Sequence, residues 1–101
     1  MGRMVGKVAL VSGGAEGIGA HVARAIVAES GQVMLGDVQT DKAAALAAEL
    51  GENAASVALD VRELAQWEAA VAATVARFGK LTVLANIAGI SEPDTVTDGS
   101  L

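Results

Sequence analysis

Val8-Ala9-Leu10-Val11-Ser12-Gly13-Gly14-Ala15-Glu16-Gly17-Ile18-Gly19 is the stretch that decides the fold. Its four leading apolar residues read as a buried strand, and the glycine-rich run behind them turns the chain straight into a helix. The helical spacing of Ile18, Val22, Ala25 and Ile26 supports that turn. Glycines let backbone N–H groups approach a ligand without Cβ interference, while the helix presents unpaired amides and a positive dipole end to an anion. A diphosphate is the natural occupant. The spacing Gly13-x-x-x-Gly17-x-Gly19 differs from the G-x-x-x-x-G-K-[ST] loop of nucleoside triphosphatases, and no lysine follows the last glycine. Kinase or ATPase chemistry is thereby disfavoured, and the spacing also differs from G-x-G-x-x-G.

Outward from the loop, strands and helices alternate. Gly31 is placed to stop the first helix, and 32–37 reads as a short buried strand ending at Asp37. Thr40 or Asp41 is expected to cap an alanine-rich second helix that runs through Leu50 and closes at Gly51. A third strand, 54–59, leads to Asp60, which with Glu63 forms a capping-box-like pair ahead of a third helix. Leu64, Trp67, Val71, Val75 and Phe78 share one face of that helix, and Gly79 closes it. A fourth strand spans 81–86, then Ile87-Ala88-Gly89-Ile90 enters a polar loop containing Pro93, with Thr97 or Ser100 as a cap for a further helix. Right-handed crossovers between such elements give a parallel sheet covered by helices on both faces, with strand order 3-2-1-4. The expectation is an α/β, Rossmann-type three-layer fold in one domain, 1–101, with the glycine loop and both strand-end acids on the carboxyl edge where ligands bind.

Composition narrows the function. The net charge of −5 and dispersed Lys and Arg residues argue against a nucleic-acid surface. The absence of cysteine removes disulfides and thiol chemistry, and a single histidine leaves no basis for a histidine-rich metal site. No segment approaches the roughly 20 apolar residues that span a bilayer, so no membrane partner and a cytoplasmic location are expected. Hydrophobic residues make up 52% of the chain, more apolar surface than 101 residues easily bury alone. His21 reads as an ordinary helix residue and Trp67 as core.

Asp37 follows Gly17 by 20 residues, at the end of the second strand. There an acid can accept hydrogen bonds from the 2′- and 3′-hydroxyls of an adenosine ribose. Glu16 adds a second negative charge in the loop. A carboxylate about 5 Å from a phosphate costs about 3 kcal/mol per pair of unit charges at an effective dielectric of about 20, or roughly a hundredfold in affinity. NAD is therefore favoured over NADP.

These residues resemble the short-chain dehydrogenases/reductases, and the match covers essentially the whole chain as their N-terminal cofactor-binding portion. The loop is similar to the family's T-G-x-x-x-G-x-G, with Ser12 in place of Thr. The resemblance implies that Ser12, Gly13, Glu16, Gly17, Ile18 and Gly19 surround the diphosphate, and that Asp37 and Val38 lie at the ribose. Asp60-Val61 matches the family's adenine-edge pair. Asn86-Ile87-Ala88-Gly89 resembles N-N-A-G, with Ile87 replacing the second Asn, so that Asn86, Ala88 and Gly89 carry that motif's role.

The family's proton transfer uses a tyrosine, a lysine four residues later and a serine, and this chain contains no tyrosine. The resemblance thus implies an NAD-dependent oxidoreductase acting on CH–OH groups whose catalytic residues lie outside these 101, with the chain inactive by itself. It also implies a small alcohol or ketone substrate, with a leaning toward hydroxysteroids or secondary alcohols, and a homo-oligomer, dimer or tetramer, at full length. Two other readings stay open: a non-catalytic dinucleotide-binding module, and a nucleotide-sugar enzyme of the extended branch, in which Gly14-x-x-Gly17-x-x-Ala20 is the fingerprint.

Overall fold

The computed structural model describes residues 2–87. Seven elements follow in order: β1 (Val8–Ser12), α1 (Gly17–Ala28), β2 (Gln32–Asp37), α2 (Thr40–Leu50), β3 (Ala54–Ala58), α3 (Leu64–Phe78) and β4 (Val83–Asn86). The strands form one parallel sheet in the order β3-β2-β1-β4. This is a Rossmann-like α/β arrangement. The expected cap at Thr97 or Ser100, Pro93, Ala88 and Gly89 lie outside the described residues.

Two apolar layers cover the sheet. On one face Ala9, Val11, Val33 and Leu35 pack against Ala23 and Ile26 of α1 and Ala43, Leu46 and Ala47 of α2. On the other, Leu10 and Met34 meet Ala70 of α3, with Trp67, Ala73 and Phe78 around it. β1, paired on both edges and covered on both faces, is buried at all five positions. Full burial of each of its Val and Leu side chains stabilises the fold by about 1.5–3 kcal/mol.

Local details depart from the sequence expectations in five places. β1 runs one residue further, so Ser12 belongs to the strand, while β3 stops at Ala58 and β4 starts at Val83. Gln39 is the N-cap residue of α2, so Thr40 and Asp41 sit inside its first turn and neither caps it. Glu63 is the N-cap residue of α3 and makes no side-chain cap, so the capping box with Asp60 does not form. The Asp60 carboxylate instead accepts from the backbone N–H and guanidinium of Arg62, which offers a charged fork two residues away. α1 ends before Gly31, with Ser30 taking the left-handed conformation (φ 71°).

The fifth departure is the face of α3. Leu64, Val71 and Val75 are exposed, and the packed stripe is Trp67, Ala70 and Thr74 with Ala73 and Phe78. Small residues at its centre let the helix backbone approach the sheet, and the Thr74 hydroxyl is satisfied inside that contact by the Ala70 carbonyl at 2.7 Å. Apolar spacing alone follows the largest side chains, whereas close packing here selects the smallest.

Candidate nucleotide-binding site

The carboxyl ends of the strands bring the candidate residues to one edge of the sheet. A cavity of about 300 Å³, at the lower end of the range for small-molecule sites, is lined by Gly13, Glu16, Gly17, Ile18, Asp37, Gln39 and Ile87. Its wall is built by the turn between β1 and α1. Gly17 adopts φ +64°, which L side chains rarely do, and a Cβ on Gly19 would stand 1.9 Å from the Gly13 carbonyl oxygen. Only glycine lets the start of α1 close onto the loop at that point.

Asp37, at the end of β2, is 6% exposed. Its Oδ2 accepts from the Ala15 N–H at 3.0 Å and its Oδ1 from the Gln39 N–H at 2.8 Å. The acid is thus locked to the glycine loop on one side and to the entry of α2 on the other. An ionised carboxylate offers about four acceptor sites, so two remain for other donors.

Glu16 is exposed at the mouth, where Gln39 Nε2 donates to its Oε1 and Lys42 Nζ to its Oε2, both at 3.0 Å. The hydrogen bond from Gln39, then that from Lys42 and the lysine's charge, hold the Glu16 carboxyl below its ordinary range. Ser12 is fully buried. Its hydroxyl donates to Asn86 Oδ1 at 2.8 Å, tying the ends of β1 and β4 together behind the cavity.

The adenine-edge candidates lie at the end of β3. Leu59 N–H donates to the Asp37 carbonyl, which carries the chain from the β2 end to Asp60. The Arg62 side chain, and next its backbone N–H, hold the Asp60 carboxyl down to about 2. The Asp60 N–H donates to Gln66 Oε1, and the Val61 carbonyl accepts from Trp67 Nε1 at 2.8 Å. Of the sequence candidates, Gly13, Glu16, Gly17, Ile18 and Asp37 line the cavity, while Ser12, Gly19, Val38, Asp60, Val61 and Asn86 are not part of its lining. Val38 is 65% exposed.

Three residues at the site escape the sequence reading. Ile87 stands out only as a departure from a motif, and it adds an apolar side chain to the cavity lining. Nothing in the sequence signals that Gln39 and Lys42 meet Glu16 across 23 and 26 residues. Among the described residues no group of His, Asp and Glu could hold a metal ion, and no helix is long and apolar enough to cross a membrane.

The model of the short chain dehydrogenase family matches residues 7–100. The chain belongs to that family. A 3-alpha-(or 20-beta)-hydroxysteroid dehydrogenase of Mycobacterium tuberculosis (strain ATCC 25618 / H37Rv) is 52% identical over 100 residues, covering 99% of this chain and 38% of the relative. A 3-beta-hydroxysteroid dehydrogenase of Comamonas testosteroni is 42% identical over 99 residues, 98% of this chain and 39% of its own length. Among solved structures, a 3-ketoacyl-(acyl-carrier-protein) reductase from Brucella melitensis complexed with NADH superimposes with a TM-score of 0.78 at 34% identity, over 80% of this chain and 34% of the other. This short chain dehydrogenase sequence therefore spans well under half the length of these relatives, and it shares the reductase's fold over the superimposed part.

Proposed function

We propose that residues 1–101 form a single cofactor-binding unit of an oxidoreductase and that the cofactor is NAD. The observation that carries this reading is the Asp37 carboxylate, buried, fixed by two backbone N–H groups and set in the same cavity wall as the glycine loop. In that position its two remaining acceptor sites suit the 2′- and 3′-hydroxyls of a ribose, and a 2′-phosphate would meet its charge. The NADH in the Brucella reductase of the same fold supports a nicotinamide dinucleotide.

Each candidate residue has a part in this reading. Backbone groups of Gly13, Gly17, Ile18 and Gly19 take the diphosphate, helped by the positive end of α1. Glu16 and Asp37 disfavour NADP, and Val38 flanks the ribose. Asp60 and Val61 take the adenine edge, with Arg62 keeping the Asp60 carboxylate ionised and oriented. Ser12 and Asn86 lock the strand ends, and Ala88 and Gly89 are assigned to the cofactor by the motif they share with Asn86.

When bound, NAD supplies an electrophilic nicotinamide C4 that accepts hydride from an alcohol carbon. The hydroxyl proton needs a separate acceptor, and the tyrosine that the family resemblance implies is absent from these residues. The chain by itself therefore binds without turnover. The names of the relatives support a hydroxysteroid or another secondary alcohol, with its ketone, as the substrate of the whole protein. A cytoplasmic homo-oligomer is the proposed setting.

Calorimetric titration with NAD and NADP tests the reading. NAD is expected to bind the tighter of the two by at least about tenfold, with no oxidation of secondary alcohols. Equal affinity for the two cofactors, or turnover by the chain alone, contradicts it.

A further inference from the structure

Glu16 holds the N-cap position of α1, beside first-turn amides and a positive dipole end that attract a negative charge. Here it makes no capping hydrogen bond. Both carboxylate oxygens are taken from outside the loop, one by Gln39 and one by Lys42. Gln39 is the N-cap residue of α2 and Lys42 lies in its first turn, so one helix start restrains the acid at the start of the other. Gly17 and Ile18, the first residues of α1, line the cavity beside it.

We infer that Gln39 and Lys42 are positioning residues that hold Glu16 off the N-terminus of α1, so that the loop's own carboxylate does not compete with a diphosphate for those amides. This rests on the nucleotide reading above and adds to it a restraint that neither the glycine pattern nor Asp37 supplies. The Glu16 and Lys42 side chains are 59% and 57% exposed, so their ion pair contributes little to stability. Its consequence is positional. A released Glu16 is drawn by the positive end of α1 toward the first-turn amides, and there it both competes for the donors and sets a negative charge against the ligand. Gln39 also binds Asp37 through its backbone N–H, so the residue that restrains Glu16 is the one that fixes the proposed ribose acceptor.

The test uses ADP, which carries the diphosphate, and adenosine, which does not, titrated by calorimetry into the unaltered chain, Lys42→Met, Lys42→Arg, Glu16→Gln and the double variant Glu16→Gln/Lys42→Met. Both positions are exposed, so the fold is retained, which a thermal melt checks. Lys42→Met is expected to weaken ADP about three- to fivefold, the upper range of what an exposed ion pair can restrain, while adenosine changes less than about twofold. Lys42→Arg retains ADP affinity. In the Glu16→Gln background the same Lys42→Met change is expected to weaken ADP less than about twofold, because no carboxylate is left to release. An equal loss in both backgrounds would make Lys42 a plain positive charge and overturn the inference, as would unchanged ADP binding in Lys42→Met. If the unaltered chain binds neither ADP nor NAD, the nucleotide reading falls and takes the inference with it.

Discussion

β1 and β4 are in-register neighbours, yet one is buried at every position and the other alternates between half-buried and exposed. Leu10 and its register partner Leu84 show the difference. Partners in a parallel pair point to the same face, so both side chains project toward the α3 side. Leu10 is fully buried against that layer, and Leu84 is 56% exposed. On the opposite face Val83 and Ala85 do pack, against the cluster formed with α1 and α2. The two faces are therefore covered unequally. Exposed Leu64, Val71 and Val75 of α3 add to the apolar surface on the thinner one.

The lesson is that alternation in β4 records coverage on one face only, while the continuous apolar run of β1 records coverage on both. Substitutions can break this contrast. Leu10→Ala is expected to cost about 2–5 kcal/mol in urea unfolding, since it opens a cavity between the sheet and α3. Ala70→Leu, at the centre of the α3 contact, should cost about 1–3 kcal/mol by forcing the helix off the sheet. Leu84→Ala and Val75→Lys should each stay within about 0.5 kcal/mol. Comparable losses at Leu10 and Leu84 would show that the two strands are covered alike.

The smallest effect is set by pH at Asp60. Its carboxyl is held at about 2 in the folded chain against an ordinary 3.8, so its pairing with Arg62 stabilises fully above pH 3.8. That contribution fades as the pH falls toward about 2. Urea midpoints of the unaltered chain and Asp60→Asn are expected to differ slightly at neutral pH and to converge at the acid end of this window. A gap that widens as the pH falls would reverse the sign.

Among the described residues every strand, every helix and the sheet order were legible in the sequence, because each rests on a local pattern: an apolar run, a helical period, a glycine stop. The caps were less so. Thr40 and Asp41 are good capping residues by type, but the bond from the Gln39 N–H to Asp37 starts α2 one residue earlier. Asp60 and Glu63 have capping-box spacing, but Arg62 takes the acid first. Leu64, Val71 and Val75 share a helical face with Trp67 and Phe78 by period yet are exposed, because period fixes which residues are neighbours and not which of them approaches the sheet. At the site, the glycine loop and Asp37 were readable from spacing, whereas the meeting of Glu16 with Gln39 and Lys42 exists only once α1 and α2 lie side by side.

The central claim is that Asp37 and the glycine loop form one nucleotide site that favours NAD. The most direct measurement is calorimetric titration of NAD and NADP into the unaltered chain and Asp37→Asn, which keeps the shape and removes the charge. NAD affinity is expected to fall about 10- to 100-fold, the scale of losing hydrogen bonds to a charged acceptor, and the preference over NADP to shrink with it. Unchanged NAD affinity in Asp37→Asn, or an unchanged ratio between the two cofactors, would contradict the account.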